Sequence, residues 1–203
     1  IVGLEVGSSQ ITCVIGKEDP ERAGVLEIIS GGQKQCAGIK NGNVVDMDVT
    51  ADAIKSAVEQ AEEKIEEVVN SVCLGIRGPH IETHNSRGVT AISRSDKEIT
   101  SDDVKSAIEN AKAIQISAER EIIDTIAQEY SLDGQKGVHN PIGMEGHFLE
   151  VYAHIVTVSI THLNNVYKVI WKAGFNVDER IFGLLAVGDT VISNEEKDLG
   201  CLL

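Results

Sequence analysis

A chain of 203 residues with 42% hydrophobic residues has room for one large or two small domains and is too apolar to be disordered. Aromatic residues make up only 3%, so the core must be built from Ile, Val, Leu and Ala. A net charge of −14 argues against binding to nucleic acid or to an anionic bilayer surface, and no apolar run approaches the ~18 residues that span a membrane.

The first segment, Ile1 to Gly16, reads as two β runs about a Gly7-Ser8-Ser9 turn, on its β-branched content and flanking glycines. Val25 to Ile29 is a further strand, and Gln33 to Ile39 continues the sheet before the polar loop Lys40 to Asn43. Thr50 to Val69 has the clearest helical period, with Thr50 as N-cap and Asp52 in the first turn. Ile54, Ala57, Val58, Ala61, Ile65, Val68 and Val69 share one face, and Glu59, Glu62, Glu63, Glu66 and Glu67 form a solvated one. Ser71 to Ile76 is a short apolar strand, expected to be buried on both sides.

Gly78-Pro79 punctuates the chain, and the pattern then changes. Ile81 to Ile92 alternates weakly and is interrupted by Arg87-Gly88. Thr100 and Asp103 form a capping-box pair opening a second helix, whose apolar stripe is Val104, Ala107, Ile108, Ala111 and Ile114. Lys105, Glu109 and Lys112 lie on its outer side, as candidate partner contacts or, more simply, as ordinary solvated charges. Glu121 to Tyr130 fits strand or helix, Asp133-Gly134 is a hairpin signal, and Phe148 to Ile160 alternates as a strand. Residues from about 80 to 160 thus form an inserted β-α-β-β unit, which costs little loop-closure entropy if its ends lie close together. A third helix runs from Thr161, its N-cap, to Gly174, with Leu163, Val166, Val169, Ile170 and Ala173 inward and Tyr167 and Trp171 against the sheet. Val177 to Phe182 is a strand, Gly183 to Ser193 a helix, and Leu199 to Leu203 begins another strand.

The element with chemistry in it is Gly3-Leu-Glu5-Val-Gly7-Ser8-Ser9-Gln10. A glycine followed by small hydroxyl residues in a tight turn exposes successive backbone N–H groups, which can cradle a phosphate, with Ser8 and Ser9 adding hydroxyl donors. Glu5, on the strand just before, can hold a hydrated Mg²⁺ through water. The loop is neither a Walker A motif nor a dinucleotide fingerprint, since no Gly-Lys-Ser/Thr follows and a strand stands where a helix would start. By itself such a turn is more often only a turn. The histidines, His80, His84, His139, His147, His154 and His162, lack zinc-ligand spacing, and no nucleophile motif is present. Cys13, Cys36, Cys73 and Cys201 form no C-x-x-C pair and read as small buried hydrophobes in a reducing cytosol.

The opening Gly3-Leu-Glu-Val-Gly-Ser-Ser9 resembles the first phosphate loop of the actin/Hsp70/sugar-kinase superfamily. The phrases Gly75-Ile-Arg-Gly78, Pro79-His-Ile81, Gln128-Glu-Tyr130, Asn140-Pro-Ile-Gly143, Gly174-Phe-Asn-Val-Asp178 and Glu196-Lys-Asp-Leu-Gly200 resemble, more narrowly, the FtsA family of bacterial cell-division proteins. That resemblance implies an α/β fold: an actin-like, ribonuclease-H-like subdomain 1A over residues 1–80 and 161–185, an inserted α+β subdomain 1C over 81–160, and the start of subdomain 2A over 186–203. It implies ATP and Mg²⁺ as ligands of the complete protein, held at Gly7, Ser8, Ser9, Gln10 and, through water, Glu5. It also implies filament formation, tethering of the FtsZ ring to the cytoplasmic face of the membrane at the septum, and recruitment of later division proteins through 1C. Many relatives have Asp and Lys where this chain has Glu5 and Gln10, and Gln10 brings no charge to neutralise phosphate. Because the chain opens on Ile1 and closes in an apolar run at Leu203, both ends read as cuts. The second phosphate loop, the adenosine region, the FtsZ-tail site and the membrane-targeting helix would then lie beyond it, leaving this stretch with weak or no ATPase activity alone. The alternatives are a related actin-like protein of pilus assembly or a superfamily ATPase or kinase; for a kinase, no aspartate stands out as a catalytic base.

Overall fold

The computed structural model describes residues 1–22, 24–66 and 68–202. In chain order the elements are β1 (Val2–Val6), β2 (Gln10–Glu18), β3 (Leu26–Gln35), β4 (Ile39–Lys40), β5 (Asn43–Val44), α1 (Met47–Glu62), β6 (Ser71–Ile76), β7 (Ile81–Ala91), α2 (Ser101–Ala111) and β8 (Arg120–Leu132). They continue with β9 (Gln135–Val138), β10 (Phe148–Ser159), α3 (Ile160–Lys172), β11 (Asn176–Phe182), α4 (Gly183–Val191) and α5 (Asn194–Leu199). The chain divides into two compact units: Ile1–His80 together with the segment from Ser159 onward, and Ile81–Val158. Among the described residues no helix is long and apolar enough to cross a membrane.

The first unit is built on a sheet in the order β11-β6-β1-β2-β3. The β1–β2 hairpin and the β2–β3 pair are antiparallel, while β1, β6 and β11 run parallel. Leu4, Ile11, Cys13, Ile15, Val72, Leu74 and Ile76 are buried. On β6 they alternate with the half-exposed Ser71, Cys73 and Gly75, so this strand is buried on one side and not on both as its apolar run suggests.

Helix α1 begins earlier than its sequence indicates. Its N-cap is Asp46, whose carboxylate accepts from the N–H groups of Asp48 and Val49 at 3.0 Å each. Thr50 lies inside the first turn, fully buried, and its hydroxyl donates to Asp46 O at 2.6 Å. The helix also ends earlier, at Glu62, whose carboxylate accepts from Val69 N–H at 2.6 Å. Ile65, Val68 and Val69 therefore lie beyond the helix, and Glu67 is outside the described residues. The α1 face that packs on β3 does so at close range: a Cβ on Gly32 would fall 2.0 Å from Ala57 O, and Ser30 Oγ donates to Ala61 O at 2.5 Å.

Helix α3 is capped by Ser159, two positions before the expected Thr161, with Ser159 Oγ accepting from His162 N–H at 3.5 Å. Leu163, Val166, Val169 and Ile170 are buried, but Trp171 is 75% exposed and does not pack on the sheet. It falls on the outward side of a helix whose inward stripe is aliphatic. The expected strand from Leu199 is also absent among the described residues. Leu199 ends α5, which a Ser193–Glu196 capping box starts, and Leu203 lies outside the described residues.

The second unit is a four-stranded sheet in the order β7-β10-β8-β9, with α2 against β7. The pairing of β7 with β10 is antiparallel and unbroken from Phe148↔Ala91 to Val158↔Ile81. The interruption read at Arg87-Gly88 is a contact point: a Cβ on Gly88 would lie 1.9 Å from Ala107 O and 2.5 Å from Ala111 N. The segment with mixed signals is strand β8, and the Asp133-Gly134 turn joins it to β9, one strand more than the pattern suggested. The capping box of α2 is in place, with the Thr100 N–H and hydroxyl donating to Asp103 Oδ2 at 2.8 and 2.6 Å. These bonds, with Arg94 Nη2 at 2.9 Å, hold the Asp103 carboxyl below its ordinary pKa. The core gathers Ile92, Ile99, Ala107, Ala111, Leu149, Val151, Ala153 and Ile155.

Candidate functional site

Parallel strands end at a common edge, and in open α/β sheets ligands bind outside their carboxyl ends. Glu5 is level with Gly75, and Ile76 with Phe182. The turn after β1, Arg77 after β6 and Gly183 after β11 therefore leave the sheet together. The turn itself is Gly7-Ser8-Ser9, closed by Gly7 N–H donating to Gln10 O at 3.1 Å. A Cβ on Gly7 would sit 2.8 Å from that same oxygen, so the turn admits only glycine without shifting backbone. Ser9 O accepts from Cys36 N–H at 3.0 Å, and Ser8 Oγ accepts from Gly42 N–H at 2.8 Å, which braces the turn against β3 and the β4–β5 hairpin.

Among the described residues the N–H groups of Ser8 and Ser9 have no protein acceptor, and both residues are exposed. Two successive amides and two hydroxyls thus face solvent at the strand edge, an arrangement suited to an anion. Gln10 is exposed too, its backbone paired with Gln35 in the sheet. Glu5 is not free: its Oε1 forms an ion pair with Arg77 Nη2. Among the described residues no group of three or more His, Cys, Asp or Glu side chains could hold a metal directly. A lone carboxylate beside free amides fits a cation held through water and phosphate oxygens, not one ligated by protein.

Beside this edge the rings of His80 and His162 stack with centroids 3.2 Å apart and planes 21° from parallel. His162 Nδ1 lies 3.3 Å from Asn43 Oδ1, and burial lowers the pKa of its imidazole. The folded protein therefore resists a proton that the unfolded chain accepts below about pH 6.5. Stability is expected to fall as pH drops from there, until the folded imidazole itself titrates. Thermal melts from pH 7.5 to 5 should show a steeper acid-side loss in the parent than in His162→Gln; equal slopes would refute a titrating His162.

Burial raises the Cys13 thiol to about 11, with the Glu62 charge adding to the effect, so it is not a nucleophile. On α2, Lys105 pairs with Asp102 at 3.6 Å and Lys112 with Glu109 at 2.6 Å, local surface pairs of the usual solvated kind.

Residues 78–157 match the family model described as the SHS2 domain inserted in FtsA. Across the whole chain, the curated cell-division protein FtsA of Pseudomonas aeruginosa is 34% identical over 203 residues, covering 100% of this chain and 48% of that protein. FtsA of Neisseria meningitidis is 38% identical over 198 residues, covering 97% and 47%. This chain resembles the amino-terminal half of FtsA. It spans about half the length of the curated FtsA relatives it matches. A solved structure described as the PilM-PilN type IV pilus biogenesis complex superposes with a TM-score of 0.61 at 14% identity, covering 93% of this chain and 48% of that one. At that identity the likeness is one of fold. The architecture is α/β and actin-like, interrupted by the inserted domain characteristic of FtsA.

Set against FtsA-like expectations, the structure brings Gly7, Ser8, Ser9, Gln10 and Glu5 to one edge and adds groups that the loop pattern does not contain. Nothing in the phrase Gly75-Ile-Arg-Gly78 marks Arg77 as a site residue; its approach to Glu5 depends on β6 lying next to β1. The His80–His162 stack joins residues separated by the entire insert, and no local period signals it.

Proposed function

We propose that this chain is the amino-terminal part of an FtsA-like cell-division protein that binds ATP with Mg²⁺ between two lobes. In this reading residues 1–80 and 161–185 are subdomain 1A, residues 81–160 are subdomain 1C, and the segment from 186 leads into subdomain 2A. The observation that carries the nucleotide reading is the pair of free amides at Ser8 and Ser9, at the carboxyl edge of three parallel strands. Gly7 keeps the turn tight, Ser8 and Ser9 donate to phosphate oxygens, and the Gln10 amide adds a neutral donor. Glu5 orients water around the metal. Bound Mg²⁺ would supply the positive charge that draws the phosphate oxygens together.

The same reading makes the complete protein a filament-forming tether between the FtsZ ring and the membrane. Its 1C unit is a docking module for later division proteins, and the protein lies at the cytoplasmic face of the septum. Half a cleft leaves the phosphates wet, so the contacts of this chain alone are weak. Calorimetric titration of Mg-ATP into this chain, and into one extended to the length of its relatives, tests this. Binding by the longer chain alone is the expected result. Equally tight binding by both would refute the split cleft, and binding by neither would refute the nucleotide reading.

A further inference from the structure

The loop residues facing solvent are all neutral donors, and the charged side chain nearest them on β1, Glu5, is negative. An ATP phosphate chain brought to this edge meets a carboxylate on a protein of net charge −14, with Gln10 offering no compensating charge. A cation is nevertheless at hand. Arg77 is the first residue past β6, the strand next to β1, and its Nη2 contacts Glu5 Oε1. A Cβ placed on Gly7 would lie 3.7 Å from Arg77 Nη2 and 3.7 Å from Glu5 Oε1, so the guanidinium is within reach of the turn.

We infer that Arg77 is the phosphate-binding cation of this site and that it exchanges partners on ligation, leaving Glu5 for phosphate while Glu5 turns to the hydrated metal. The inference rests on the nucleotide reading above. Three features carry it. First, the pair is open to water, with side-chain exposures of 56% for Arg77 and 38% for Glu5, so solvent screens it and breaking it costs little. Second, a guanidinium carries five N–H donors in a planar fork that matches phosphate oxygens, so one carboxylate contact leaves most of its capacity unused. Third, Gly183, the first residue of α4, brings no side chain against the Arg77 stem: a Cβ added there would lie 3.7 Å from Arg77 Cβ and 3.2 Å from Ile76 O. The exchange also gives Glu5 two uses. Without ligand it holds Arg77 at the edge of the turn; with ligand it is released toward the metal at the moment the guanidinium charge is taken up.

The test compares ATP with adenosine as ligands of the chain extended to the length of its relatives, by calorimetry with and without Mg²⁺. Arg77→Gln should weaken ATP binding roughly tenfold or more, the size of effect for a charge-assisted hydrogen bond, and leave adenosine unchanged. Arg77→Lys should recover part of the loss. Glu5→Gln, in the absence of Mg²⁺, should bind ATP at least as tightly as the parent, because Arg77 is no longer held, and should lose most of the gain that Mg²⁺ gives the parent. A parent that binds ATP and an Arg77→Gln variant that binds it equally well would overturn the inference and leave the nucleotide reading standing. Equal losses for ATP and adenosine would also overturn it, since they would report damage to the fold and not a lost phosphate contact. A parent that binds neither ligand would refute the nucleotide reading, and this inference with it.

Discussion

Gly88→Ala should destabilise the inserted unit by about 3 kcal/mol, at the upper end of the usual cost of overpacking. An alanine Cβ there would lie 1.9 Å from Ala107 O and 2.5 Å from Ala111 N, both backbone atoms of α2. No rotamer change relieves such a contact, so α2 must lift from β7 and expose Ala107 and Ala111, which are fully buried. Hydrogen exchange read by mass spectrometry would localise the damage. Amides of α2 and β7 should lose protection, while those of β1, β2 and α1 keep theirs. Unchanged protection across Ser101–Ala111 would mean that the close approach of helix and strand is not what stabilises this unit.

Gly7→Ala should instead act on binding. Its Cβ would press on Gln10 O at 2.8 Å, and relief requires the turn to open. That would turn the Ser8 and Ser9 amides away from a common anion. If each contributes a charge-assisted hydrogen bond of about 1.5 kcal/mol, Mg-ATP affinity in the extended chain should drop roughly a hundredfold. The thermal midpoint should move little, because the strands on either side are held by their own ladders. A variant that binds as the parent does would remove this turn from the nucleotide site.

Local signals predicted local structure well here and failed where a choice depended on distant parts of the chain. The capping box at Thr100 and Asp103, the Asp133-Gly134 turn and the alternation from Phe148 each depend on residues within a few positions of one another, and each forms in the structure. At the start of α1, Asp46 and Thr50 are both good caps, and local sequence does not choose between them. In the folded chain Asp46 caps the helix, and Thr50 is sealed inside the first turn. At the end of α1, Ile65, Val68 and Val69 continue the helical period after the helix has stopped. Trp171 faces outward, because the aliphatic stripe of α3 already fills the interior. At the site, the glycine–serine turn could be read from adjacent residues. Arg77 could not be linked to Glu5 in advance, because their meeting requires β6 to be the neighbour of β1.

The way the second unit closes bears on how such a protein can be rebuilt. Its first and last residues, Ile81 and Val158, are partners across an antiparallel ladder, so the unit enters and leaves through neighbouring positions. Adjacent strands lie about 4.8 Å apart, a gap that a two-residue turn bridges. Evolution could therefore acquire, lose or exchange this unit as a cassette in one recombination event, leaving β6 and α3 of the host where they are. An engineer could do the same, replacing residues 81–158 with a short turn or transplanting them into an exposed turn of another protein.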